Sequence, residues 1–191
     1  VVNAQGVIRY TITPTANGCS GTPVTVDVTV NPTPTLATTP AQQIICAGTA
    51  PSIVLSNPNA VAATLYRWTV VQSGTTGASN QVALVAGPIA QTLNLSIVNV
   101  QGTATYTIEA VSPASCVSST KQVIITVDPV PDAAASIQTI CSGGTTSVVI
   151  TNPNAVSGTS FAWTSVQFGG AIVSGHSSGN GALISQNLTV V

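Results

Sequence analysis

The chain has 191 residues, of which 44% are hydrophobic and only 4% charged, three Lys/Arg against four Asp/Glu for a net charge of −1. Disorder, which needs low hydrophobicity and high net charge, is excluded, and three basic residues cannot neutralise a run of phosphates, so nucleic acid is not a partner. One His, no Met and four Cys leave little from which to build acid/base pairs or a metal site, so no catalytic residue, cofactor or metal ligand is assigned.

From the N-terminus, Val24, Val26, Val28 and Val30 alternate with Thr25, Asp27 and Thr29. That period of two predicts a strand with one buried face. Val1 falls inside what reads as a strand, so the chain is expected to be a piece of something longer, or one whose signal has been removed. No stretch reaches the ~18 apolar residues of a membrane span. Pro32, Pro34 and Pro40 then fix extended backbone and remove ladder donors, the chemistry of a linker.

Seven strands follow, at about Ile44 to Ala47, Ser52 to Ser56, Thr64 to Gln72, Val82 to Ala86, Gln91 to Val98, Thr103 to Ser112 and Lys121 to Val127. Turn signals separate them, among them Asn57-Pro58-Asn59, Ser73-Gly74, Gly87-Pro88 and Gln101-Gly102. Pro129 and Pro131 close the module. Seven short strands with a Trp on the third predict a two-sheet sandwich of immunoglobulin-like topology. On that third strand Tyr66 and Trp68 share a face, which is expected to be the core face.

Residues 132–191 repeat this module from its start. Asn57-Pro58-Asn59-Ala60-Val61 returns as Asn152-Pro153-Asn154-Ala155-Val156, and Tyr66-Arg67-Trp68-Thr69 as Phe161-Ala162-Trp163-Thr164, both 95 residues on. The rest of the pattern stands at the other end of the chain. Tyr10-Thr11-Ile12 matches Tyr106-Thr107-Ile108, and Val30-Asn31-Pro32-Thr33-Pro34 matches Val127-Asp128-Pro129-Val130-Pro131. The organisation expected is all-β: tandem sandwich modules of about 95 residues, circularly cut. Residues 1–34 are the C-terminal strands of one module, 35–131 a complete sandwich, and 132–191 the N-terminal strands of another. Trp68, Trp163, Tyr66, Phe161, Tyr10 and Tyr106 are expected core residues.

Each module owns one Cys before its second strand and one after its sixth. Cys46 and Cys116 are therefore expected to be bonded within the chain, and Cys19 and Cys141 to pair between chains or with residues outside it. Such pairs imply an oxidising, extracellular compartment. Asn94-Leu95-Ser96 and Asn187-Leu188-Thr189 have the form of glycosylation acceptors. His176 lacks a His partner and reads as a loop residue. Lys121 and Glu109 are one conceivable amide crosslink, but neither recurs in the repeat.

The pattern Ile45-Cys46-Ala47-Gly48, Asn-Pro-Asn-Ala-Val, Phe161-Ala162-Trp163-Thr164 and above all Tyr10 to Val26, with the Val30 to Pro34 linker, resembles the PKD-like repeats of Bacteroidota surface proteins. The resemblance implies a secreted, non-enzymatic repeat of a giant adhesin of the kind associated with gliding motility and type IX secretion. The function expected is a structural repeat of an extracellular filament or stalk. Its partners are copies of itself, or flanking repeats of the same polypeptide, that complete the split module. The alternative is a module binding a glycan or surface polymer through the loops Ser73 to Asn80 and Gly169 to Gly181.

Overall fold

The structure, a computed structural model, describes residues 3–191. Among the described residues every regular element is a β-strand. The chain forms two compact units, one made of the chain up to Asn94 with Gly102–Val127, the other of Leu95–Gln101 with Asp128–Val191.

The first unit holds an immunoglobulin-like sandwich. Its larger sheet has the order Gln81–Val85, Leu65–Ser73, Gly102–Val111, Lys121–Asp128, Gln42–Cys46. Gly102–Val111 runs antiparallel to both neighbours, with Tyr106 opposite Val123 on one side and Val70 on the other. From Gly102 to Ala110 its even-numbered residues are buried and its odd-numbered ones half-buried, the alternation expected of a strand with one core face, and Val111 at its end is buried too. Tyr66, Trp68, Ala104, Tyr106, Ile108, Val123, Ile125 and Val127 form that face. The second layer pairs Ala37–Thr39 with Val54–Ser56 and adds single bridges, Ile53 to Ile89 and Thr49 to Leu93. Ile53, Ile89 and Leu93 are fully buried between the layers.

The edge strand Gln42–Cys46 gets its direction from its two ends. At the start, the Ala41 carbonyl accepts from Ile124 N–H at 3.4 Å; at the finish, Gly48 N–H reaches the Leu93 carbonyl at 2.8 Å. Leu93 follows Thr92, whose carbonyl abuts Gly77. Close to Gly77, Thr75 Oγ1 donates to the Thr103 carbonyl at 3.0 Å. Thr103 stands opposite Thr126. Cys46 is thus at the Val127 end, and its strand runs parallel to Lys121–Asp128.

Two expectations about strands change. Proline density marks the stretch before Pro40 as linker, yet Ala37–Thr39 is a strand, and Pro34 and Leu36 beside it are buried in the sandwich. The expected strand Gln91 to Val98 contracts to Asn94–Leu95, because its first half contacts the layer only through isolated bridges and its second half turns, with Val100 N–H on the Ile97 carbonyl.

At the N-terminal side, Gly6–Ile12 and Val24–Val30 form a two-stranded antiparallel hairpin. In the second unit, residues 132–191 form short ladders: Ala134–Ala135, Val148–Thr151 and Leu183–Ile184 in one, Gly144–Thr145, Asn187–Val190 and Val173–Ser174 in another, and Ala162–Trp163 with Gly179–Asn180. The Trp163 strand has two residues where its counterpart Leu65–Ser73 has nine. Leu65–Ser73 is long because Gly102–Val111 supplies its ladder partner. The same explanation covers 137–141, the counterpart of Gln42–Cys46, which forms no strand.

Candidate functional site

The cross-strand register of the N-terminal hairpin sorts its side chains by chemistry. Gly6 faces Val30, Ile8 faces Val28, Tyr10 faces Val26 and Ile12 faces Val24, so one face is wholly apolar. The other face carries Val7 with Thr29, Thr11 with Thr25, and the Arg9–Asp27 pair at 2.7 Å. That contact holds the Asp27 carboxyl below its usual pKa. Both faces are solvated. Tyr10, expected in a core, is 53% exposed, and Val24, Val26, Val28 and Val30 are all exposed, so the expected burial of one side of that strand is corrected as well. The reason is the missing second layer, since a lone two-stranded ribbon has nothing to bury against.

The equivalent hairpin in the complete sandwich shows what this face is built for. Tyr106 is 0% exposed and its ring packs in the core. Its hydroxyl donates to Gln91 Oε1 at 3.0 Å. Gln91 is held in turn by Ser79: Nε2 donates to the Ser79 carbonyl and Oγ at 3.1 and 2.8 Å, and Oε1 accepts from Ser79 N–H at 3.1 Å. Residues 132–191 reproduce this clasp without the tyrosine. Gln186 Nε2 donates to the Ser177 carbonyl and Oγ at 2.6 and 2.9 Å, and its Oε1 accepts from Ser177 N–H at 3.2 Å. Trp163 shows the same incompleteness. Trp68 Nε1 donates to the Ser79 carbonyl at 3.3 Å, whereas Trp163 Nε1 is buried with no partner. Trp163 and Phe161 are only half-buried, a correction to their expected core positions, while Trp68 and Tyr66 are buried.

Burial pushes the Tyr106 phenol up to about 12. A tyrosine raised above its ordinary value near 10 stabilises the fold fully below about pH 10 and loses that contribution, on the order of 3 kcal/mol, as pH climbs toward 12. The expected result in an alkaline titration followed by phenolate absorbance is a late phase that Tyr106 carries to the highest pH and that Tyr66, also raised by burial, shares. In Tyr106→Phe the last part of that phase disappears; a late phase unchanged in amplitude and position would show that the assignment to Tyr106 is wrong.

The four cysteines are free thiols. The expected Cys46–Cys116 bond is contradicted by placement. Cys46 ends its strand at the Gly102/Val127 end of the sheet, while Cys116 sits beyond Val111, with its carbonyl accepting from Ser112 N–H at 3.0 Å. The Gly102–Val111 strand of 10 residues separates them, about 30 Å at 3.3 Å per residue. A disulfide tolerates Cα atoms only about 4.4–6.8 Å apart. Cys19 lies on the connection within the exposed hairpin and Cys141 at the start of an exposed turn.

The motif Asn-Pro-Asn-Ala-Val, conspicuous as a repeat, proves to be a linker clasp. Asn57 Nδ2 closes its own turn on the Val61 carbonyl and Thr64 Oγ1, both at 2.9 Å. Asn59 reaches the incoming chain, donating to the Thr33 carbonyl at 2.9 Å and accepting from Thr35 N–H at 2.9 Å. Asn154 does the same with the Val130 carbonyl and Asp132 N–H, at 2.7 and 3.1 Å. Repetition was the available signal.

Of the remaining candidates, Asn94 and Asn187 are both exposed, and Asn187 Nδ2 is engaged on the Gly143 carbonyl at 2.6 Å. Glu109 pairs with Arg67 at 2.8 Å, and Lys121 stands opposite Ile108, which puts it on the other sheet face from Glu109. His176 is on an exposed loop, its Nδ1 2.9 Å from Ser165 Oγ. No helix of the described residues is long and apolar enough to cross a membrane.

Comparison with protein families matches residues 1–34 to a PKD-like domain. The match supports a PKD/Ig-like repeat, a type of module used in structural and adhesive roles. No curated protein matches the chain.

Proposed function

We propose that the chain is a non-catalytic structural segment of an extracellular filament or stalk, of the sort that carries a surface adhesin, built from sandwich modules joined end to end. In it, residues 132–191 are completed by a hairpin of the Gly6–Val30 type from another repeat, a role that a second copy fills for this chain in solution. The observation that carries this reading is the pair of matching halves: an exposed apolar ribbon that bears Tyr10, and a Gln186–Ser177 clasp that lacks the tyrosine its counterpart holds. Docking gives the ribbon a second layer, gives 137–141 a strand to pair with, and removes two unpaired sheet edges. Near-neutral charge offers little repulsion against such association.

The test is sedimentation velocity across a concentration series in reducing buffer. Assemblies at multiples of 19.0 kDa are expected. Tyr10→Asp and Val26→Asp, which place a charge on the apolar face, should return the chain to monomer without changing the melting of the complete sandwich. A chain that stays monomeric at every concentration, or assembly indifferent to both substitutions, overturns the reading.

A further inference from the structure

The thiols do not meet inside a module, and the geometry points to where they do meet: across the junction between successive modules. Cys116 Sγ lies 3.9 Å from the carbonyl of Asn31. Asn31 ends the N-terminal hairpin, one residue past Val30, and the surface around it is a depression of about 330 Å³ shared by Asn3, Gln5, Pro32, Val61, Ser112 and Ala114. Val30 is the repeat counterpart of Val127, the end of the sheet at which Cys46 finishes its parallel edge strand. A module completed around the N-terminal hairpin therefore places its own Cys46 counterpart at the Val30 end of that hairpin, beside Cys116 of the next sandwich.

The inference rests on the hairpin-docking reading above. When a hairpin from copy two completes residues 132–191 of copy one, Cys141 of the first copy comes to Val30 of the second and pairs with Cys116 there. By the same symmetry Cys46 of the first copy pairs with Cys19 of the second. Both bonds are intermolecular; each module junction receives one, so two join each pair of successive copies. The chemistry needs an oxidant, supplied as a small-molecule disulfide. One cysteine thiolate attacks oxidised glutathione and expels one glutathione thiolate; the second cysteine attacks the mixed disulfide and expels the other. Two protein thiols are oxidised and one glutathione disulfide is reduced to two thiols.

Two double variants give opposite answers for the two pairings. Assembled chains are incubated with oxidised glutathione and run on denaturing, non-reducing gels. With cross-junction bonds, Cys46→Ser/Cys116→Ser leaves no pair intact, so the ladder of the wild type collapses to 19.0 kDa. Cys19→Ser/Cys46→Ser keeps Cys116–Cys141 and retains the ladder. Bonds within modules predict the reverse, because Cys19–Cys141 would link copies in the first variant and be lost in the second. A reversed pattern, or assembly without any ladder, overturns the inference and leaves hairpin docking standing. Absence of assembly in reducing buffer overturns both.

Discussion

Replacing Trp68 with Ala destabilises the complete sandwich by ~3–5 kcal/mol, the cost of emptying a buried aromatic site. Trp68 is 6% exposed, lies on the core face beside Tyr66, and spends its indole N–H on the Ser79 carbonyl. Its removal opens a cavity between the two layers and leaves that carbonyl with Gln91 Nε2 as its side-chain donor. The repeat supplies an internal control. Trp163 is half-buried and its N–H has no partner, so Trp163→Ala in the unassembled chain should cost less than about half as much. Calorimetry resolves the two, since the complete sandwich and the 132–191 half lie in separate compact units. Equal losses at the two sites would mean that Trp163 is already packed as firmly as Trp68. Addition of a chain bearing the Gly6–Val30 hairpin should then raise the cost at Trp163 toward that at Trp68.

Gly77→Ala is the second large effect. Gly77 has φ of +96°, and a Cβ there would run into the Thr92 carbonyl oxygen, with the Leu93 backbone in contact behind it. The conformation alone costs a non-glycine residue about 1–3 kcal/mol, and neither neighbour yields easily, because Leu93 is fully buried and bonded to Gly48 and Thr49. A loss of at least about 2 kcal/mol in chemical denaturation is expected. Gly87→Ala is the control: no atom lies within 4 Å of its would-be Cβ, so that change should be neutral or slightly stabilising, by about 0.4–1 kcal/mol. Equal effects at the two glycines would sink the argument. Gly175, at φ +89° against the Asn187 carbonyl, holds the same place in the repeat, and its substitution should interfere with completion of residues 132–191.

Much of the fold was legible because a sandwich strand with one buried face writes period two into its residues, and because the repeat supplied a second reading of each element. Leu65–Ser73, Gly102–Val111 and Lys121–Asp128 lie within a residue or two of their expected bounds. Elements held by a few contacts were harder. Ala37–Thr39 has three residues, and its prolines read as linker although Pro34 and Leu36 are buried. Exposure of Tyr10 was hidden for a different reason: its residue pattern is that of a core strand, and burial depends on a layer that pattern cannot supply. The cysteine pairing failed on parity. Successive strands traverse the sandwich in alternate directions, so the first strand ends at one end and the sixth at the other. An odd number of reversals lies between Cys46 and Cys116, so the strand order alone puts them at opposite ends.

The parallel edge strand has a mechanical consequence. The chain enters the complete sandwich past the Asn59 clasp, runs along Gln42–Cys46, and leaves along Lys121–Asp128. Tension applied at the two ends pulls these neighbouring strands lengthwise in opposite directions. Hydrogen bonds loaded along the strand axis must yield together, whereas those of an antiparallel hairpin pulled at its open end give way one after another. The topology therefore loads each module in shear, and extension of a string of such modules proceeds by whole-module rupture instead of gradual unzipping.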